Sequence, residues 1–210
     1  MKDYTEVVFI LDRSGSMEGL EKDTIGGFNS MLKEQKKAAG EAVLSTVLFD
    51  DKTEILYDRV SIKNVKKMTG KQYFTRGCTA LLDAVGGSIK HISRVQKDLQ
   101  EKPQKTVFII TTDGMENASK EYTYKKVKEL VEKKKKKGWE FIFLGANIDS
   151  PEIAEKCGIS REWAANYHND TKGIHNNYRA VNNALKSYRA NKMASADGFQ
   201  ADIAEDEKGR

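Results

Sequence analysis

Asp12, Ser14 and Ser16 occupy alternate positions directly after the apolar run at residues 7–11, and Gly15 between them permits a tight turn. Carboxylate and hydroxyl oxygens are hard donors. A small divalent cation takes about six such oxygens in near-octahedral geometry, so these three side chains supply about half of a coordination shell. Asp113, after the apolar run that starts at residue 106, offers a second carboxylate, and Thr79 in the turn Arg76-Gly77-Cys78-Thr79 offers a third hydroxyl. The same residues have a plainer use, because Ser16 and Thr79 could each cap a following helix and Asp113 a turn.

Bringing these side chains together requires the elements between them. Residues 6–12 (EVVFILD), 42–50 (AVLSTVLFD), 106–113 (TVFIITTD) and 140–145 (EFIFLG) are short, continuous and rich in β-branched and aromatic residues, the pattern of strands buried on both faces. Residues 53–62 alternate more, as an antiparallel hairpin partner at a sheet edge would. A weak strand is expected near residues 163–167. Helical periods lie between them: Ile25, Phe28 and Leu32; Leu82, Val85, Ile89 and Ile92; Tyr124, Val127 and Leu130 or Val131. Gly26-Gly27 weakens the first at about 1 kcal/mol per glycine. A short helix opens at Ser150-Pro151 and is closed by Gly158, and a final one spans residues 171–193. This alternation predicts a doubly wound, mostly parallel α/β sheet with helices on both faces, whose ligands bind beyond the carboxyl ends of the strands. Asp12 and Asp113 stand at two such ends. No glycine-rich dinucleotide or P-loop fingerprint follows any strand.

At this point the chain resembles the von Willebrand factor A domains, in their compact prokaryotic and phage form. Their metal-ion-dependent adhesion site (MIDAS) is Asp-x-Ser-x-Ser plus a distant Thr and Asp, matched here by Asp12, Ser14, Ser16, Thr79 and Asp113. The strand-DxSGSM, Gly-x-Thr-x-Leu and strand-Thr-Asp-Gly motifs fall in the family's order. The resemblance covers about residues 5–190 and implies a six-stranded sheet in the order 3-2-1-4-5-6, with strand 3 an antiparallel edge. It also implies Mg²⁺ (or Mn²⁺) bound mainly by the two serines and the threonine, with the aspartates acting largely through water. The open metal position would accept an Asp or Glu of a protein partner, and AAA-type ATPase systems are among the settings in which the family works. The binding rim is expected at Arg13, Met17, Glu18, Arg76, Glu116 and Asn117, with the arginines favouring an acidic partner.

Length and composition agree with one reduced domain over residues 1–194. The 210 residues would form a globule with a radius of gyration near 17 Å, large enough to need neither disulfide nor oligomer, so a monomer is expected. Cys78 and Cys157 lack ligand or redox spacing. No apolar run approaches membrane length and residues 1–11 do not read as a secretory signal, so a cytoplasmic setting is expected. The last 14 residues, with five acids and two bases, lack apolar periodicity and make 195–210 read as a flexible acidic tail.

The net charge of +5 raises nucleic acid as a partner. Residues 120–138 hold nine Lys and three Glu, so the whole surplus sits on one segment. Three Glu-to-Lys pairs at i, i+4 make that segment a solvated helix face, and its few aromatics make no stacking platform, so nucleic acid is not expected to bind there. The enzymatic alternative is a Mg²⁺-dependent phosphatase with Asp12 as nucleophile. Ser14 stands where such enzymes place a second, proton-donating Asp, which argues for a non-enzymatic module. His91, His168 and His175 show no ligand spacing.

Overall fold

The strands are β1 (Tyr4–Asp12), β2 (Glu41–Phe49), β3 (Thr53–Ser61), β4 (Lys105–Thr112), β5 (Trp139–Gly145) and β6 (Ala164–Asn166). In the computed structural model, which describes residues 4–168, 170–190 and 194–208, they form one six-stranded sheet in the order β3-β2-β1-β4-β5-β6. All neighbours pair in parallel except β2 and β3, which are antiparallel. The doubly wound class and the antiparallel edge expected from the sequence pattern stand, as does the strand order that the family resemblance implies.

The continuous apolar runs have a simple cause. Val7, Phe9 and Leu11 of β1 enter one core and Val8 and Ile10 the other, because successive side chains leave opposite faces of a strand. β4 divides alike, with Val107 and Ile109 opposite Phe108 and Ile110. Helices α1 (Glu21–Lys37) and α5 (Thr171–Arg189) cover the first face; α2 (Leu81–Asp98), α3 (Tyr124–Lys135) and the short α4 (Ser150–Lys156) cover the second. Among the described residues, no helix is long and apolar enough to cross a membrane.

Two details differ from expectation. The segment 195–210, read as a flexible tail, contains helix α6 (Ala196–Lys208). Phe199 is buried with its ring 5.7 Å from that of Trp163, and Gln200 Nε2 donates to the carbonyls of Glu162 and Ala164. Phe199 and Ile203, one turn apart, suffice to dock a helix whose remaining face is polar. The preceding helix, read as 171–193, ends at Arg189, and 191–193 lie outside the described residues.

The edge strand β3 is bulged. Arg59 adopts a φ of 51°, has no partner in the β2–β3 register, donates its backbone N–H to Ser45 Oγ at 3.0 Å, and donates its guanidinium Nε–H to Glu6 Oε1 at 2.6 Å. Glu6, inside β1 and fully buried, is thereby neutralised, and Gln96 Nε2 donates to its other oxygen.

The glycine pair in α1 has a packing explanation. A Cβ on Gly27 would stand 2.2 Å from the Tyr178 ring, whereas one on Gly26 would meet nothing within 4 Å. Gly27 lets α1 approach α5. Adjacent substitutions should therefore act with opposite sign: Gly27→Ala destabilises by about 1–3 kcal/mol through overpacking, while Gly26→Ala stabilises by about 0.5–1 kcal/mol through helix propensity. Urea denaturation measures both, and two changes of the same sign contradict the packing. The cysteines should also separate. Cys157 is buried, which pushes its thiol up to about 12, with Glu116 adding to the rise, while Cys78 is exposed. A thiol reagent near neutral pH should titrate one group in the native protein and two after unfolding.

Candidate metal centre

β1 and β4 are adjacent and parallel, in a register that pairs Leu11 with Thr111. Their carboxyl ends therefore release Asp12 and Asp113 side by side. Thr112 Oγ1 donates to Asp12 Oδ2 at 2.5 Å, and the Ser14 N–H donates to Asp12 Oδ1 at 2.7 Å. Residues 15–17 then form one turn of 3₁₀ helix, which brings Ser16 Oγ to 3.1 Å from Ser14 Oγ and lets it donate to Asp113 Oδ1.

Thr79 completes the group. A Cβ built on Gly114 would lie 3.0 Å from Thr79 Oγ1, 3.1 Å from Ser16 Oγ and 3.9 Å from Ser14 Oγ. Three hydroxyls from two loops thus face one small space that a side chain at position 114 would fill, and the carboxylate of Asp113 reaches it through Ser16. Among the described residues, no three His, Cys, Asp or Glu side chains gather as a metal cluster. The donor set of three hydroxyls and two carboxylates, without imidazole or thiolate, suits a hard cation.

The loops are fixed from below. Arg13 is wholly buried, its Nε 2.8 Å from Asp50 Oδ2 and its Nη2 2.8 Å from Glu54 Oε2. Asp50 also accepts from Arg76 Nε at 2.8 Å. Burial would raise the Asp50 carboxyl, but the hydrogen bonds from Arg76 and Arg13 outweigh it and hold it below the usual carboxylate range. Backbone bridges run from Arg76 N to Arg13 O and from Gly15 N to Gly77 O, so the Thr79 loop lies against the Ser14 loop. Gly77 has a φ of 67° and packs on Asp51, where a Cβ would meet Oδ1 at 2.6 Å. Tyr73, also buried, donates its hydroxyl to Asp12 O at 2.5 Å.

The loop after β4 is tied to the start of α2 by reciprocal caps. Asn117 Oδ1 accepts from Thr79 N at 2.9 Å while Asn117 N donates to Thr79 O at 3.0 Å. Glu116 Oε2 accepts from Leu82 N, and its other oxygen accepts from Ala118 N and Ser119 N. Asp83 in return accepts from the N–H groups of residues 120–122.

These contacts revise the expected rim. Arg13 is a buried tie between loops, and Met17 is turned inward by the 3₁₀ turn and is also buried. Glu116 and Asn117 hold the loops together, with Asn117 also exposed. Glu18 is exposed, and Arg76 keeps an outer face, its side chain 44% exposed. The sequence reading missed Met115 and Phe74, which are 69% and 42% exposed. Met115 directly follows Gly114, and the guanidinium carbons of Arg76 and Arg13 lie 5.3 and 5.5 Å from the Phe74 ring centre. An apolar residue beside each polar motif was the available signal. The Asp12 carboxyl is pushed up to about 6, first by burial and further by Asp113, with the Ser14 and Thr112 hydrogen bonds opposing. Two carboxylates held this close favour a cation between them.

No family model and no curated protein matches the chain. Solved structures do. Proximal thread matrix protein 1 from the mussel byssus, described with a zinc-occupied MIDAS motif, aligns at a TM-score of 0.61 and 15% identity over 88% of this chain and 46% of its own. The von Willebrand factor type A protein from Catenulispora acidiphila aligns at 0.59 and 15% identity, over 86% of this chain and 42% of its own. Manganese-loaded TRAP protein of Plasmodium vivax aligns at 0.52 and 20% identity, over 68% of this chain and 57% of its own. The chain spans less than half the length of the first two. Likeness at these identities concerns architecture, and together with the observed strand order it shows that the chain has the von Willebrand factor A fold.

Proposed function

We propose that the chain is a non-enzymatic, metal-dependent protein-binding module, in which Asp12, Ser14, Ser16, Thr79 and Asp113 hold Mg²⁺ or Mn²⁺ and an acidic side chain of a partner completes the coordination. The observation that carries this reading is the convergence of the Ser14, Ser16 and Thr79 hydroxyls on the space in front of Gly114. The zinc- and manganese-bearing structures of the same fold support it. A bound cation supplies electrostatic attraction for one more oxygen ligand.

The chain's own residues set what can approach. Asp12 is 2% exposed with both oxygens occupied by Ser14 and Thr112, which supports a holding role and opposes nucleophilic attack. Ser16 is exposed and faces the incoming group, and Met115, Phe74, Arg76, Glu18 and Asn117 are placed to read its surroundings. A protein presenting Asp or Glu amid apolar surface fits this rim, an AAA-type ATPase assembly included.

Asp113→Ala should abolish Mn²⁺ binding in calorimetry. In EDTA the same variant should be no less stable than the parent, because a like charge beside the raised Asp12 carboxyl is gone. Persisting Mn²⁺ affinity would falsify the ligand set. Asn117→Ala, which frees the Thr79 loop, should weaken Mn²⁺ by about 10- to 100-fold, as loss of an outer-shell support does. Proteins retained on the immobilised chain with Mg²⁺ should elute with EDTA and be lost with Asp113→Ala; retention under both conditions refutes metal-dependent binding. Turnover of p-nitrophenyl phosphate that disappears in Asp12→Asn would favour the hydrolase instead.

A further inference from the structure

At the opposite end of the strands, about 25 Å from Asp113 along β4 by strand length, lies a second concave site. It has a volume of about 370 Å³ and sits where β4 and β5 begin, between the ends of α2 and α3. Four lysines line it: Lys97, Lys102, Lys134 and Lys137. No carboxylate does, and among the described residues none of the four forms an ion pair with an acid. Trp139 forms part of the wall, with the Lys134 ammonium 4.4 Å from its ring centre.

Lysines commonly face helix C-termini, where they offset the negative end of the dipole. Lys97 and Lys134 lie in the last turns of α2 and α3 and can do so. Lys102 lies in the loop between α2 and β4, and Lys137 in the turn directly after α3, where its N–H donates to Lys134 O. The positive charge is therefore gathered from two segments distant in the chain, one at and after the end of α2 and one at and after the end of α3. Burial lowers the Lys134 ammonium's affinity for its proton, and repulsion from Lys137 and Lys133 lowers it further. A concave wall lined by one sign of charge focuses the field and concentrates counter-ions.

We propose that this cleft binds a compact, multiply phosphorylated anion, such as a phosphate chain free in solution or carried by a nucleotide. The chemistry fits that class. Lysine ammonium groups recognise phosphate as point charges without demanding the flat fork that arginine offers, and the volume falls within the usual range for small-ligand sites. Trp139 is buried and stacked on Phe108 at 5.2 Å, so it is a wall and not a free platform for successive bases. The cleft is also too small to receive a duplex.

Titrating the ¹⁵N-labelled full chain with sodium tripolyphosphate in EDTA tests this while keeping the metal centre out of play. The Trp139 indole and Gly138 amide signals should shift saturably, and those of Trp163, Gly15 and Gly114 should stay still. Lys102→Gln with Lys137→Gln should weaken binding by about tenfold or more, while Lys125→Gln with Lys128→Gln, on α3 but away from the cleft, should leave it within about twofold. ATP titrated alone should bind the same site; equal affinity assigns recognition to the phosphate chain, and tighter binding assigns it to a nucleotide. Shifts that fail to saturate by about 5 mM, or equal weakening in both lysine pairs, overturn the proposal. So does an oligothymidine that binds more tightly than tripolyphosphate and displaces it, since that would assign the lysines to extended nucleic acid.

Discussion

A guanidinium with no exposed surface must be neutralised where it lies, and Arg13 is placed one residue past the end of the central strand. Its partners, Asp50 and Glu54, come from the end of β2 and the start of β3, and Asp50 also holds Arg76. Removing one member of a buried pair of this kind costs about 3–5 kcal/mol, because the other charge is left stranded. The loops after β1 and β2 and the loop that leads into α2 therefore meet at Asp50. The hydroxyls of Ser14 and Thr79 keep their spacing because Arg13 and Arg76, shortly before them in the chain, are tied to the same carboxylate.

The loop after β4 is held by a different device. Glu116, Asn117 and Asp83 exchange caps between that loop and the first turn of α2, so each satisfies N–H groups that a helix start or an irregular loop would leave orphaned. Two independent fastenings thus meet at the candidate metal centre. One is ionic and lies beneath the loops, and the other is a set of neutral and charged hydrogen bonds along their flank.

Period and residue type made much of this legible in the sequence. Runs such as VVFIL announce strands buried on both faces, and the alternation in β3 announces an edge. The positions of Asp12, Ser14, Ser16, Thr79 and Asp113 at strand and helix ends pointed to one another through the topology. What the sequence hid was direction. Arg13 and Met17 look like loop surface in a linear reading, yet both point inward, since nothing local reveals a carboxylate at position 50 or a 3₁₀ turn at residues 15–17. Gly27 looks like a weak point in α1 until Tyr178, some 150 positions away, is seen against it. The docked α6 was missed because its apolar side is only one residue wide per turn, too narrow to show as a stripe.

The bulge at Arg59 has a consequence for how this molecule meets its own copies. A free sheet edge is a template on which another strand can add, and a regular β3 would expose one beside Ile55, an exposed apolar residue. By turning its N–H inward to Ser45 and its charge toward Glu6, Arg59 breaks the row of outward backbone groups partway along. A second chain cannot continue the ladder past that point in register. The residue that neutralises a buried acid thereby also protects the sheet from growing into an aggregate.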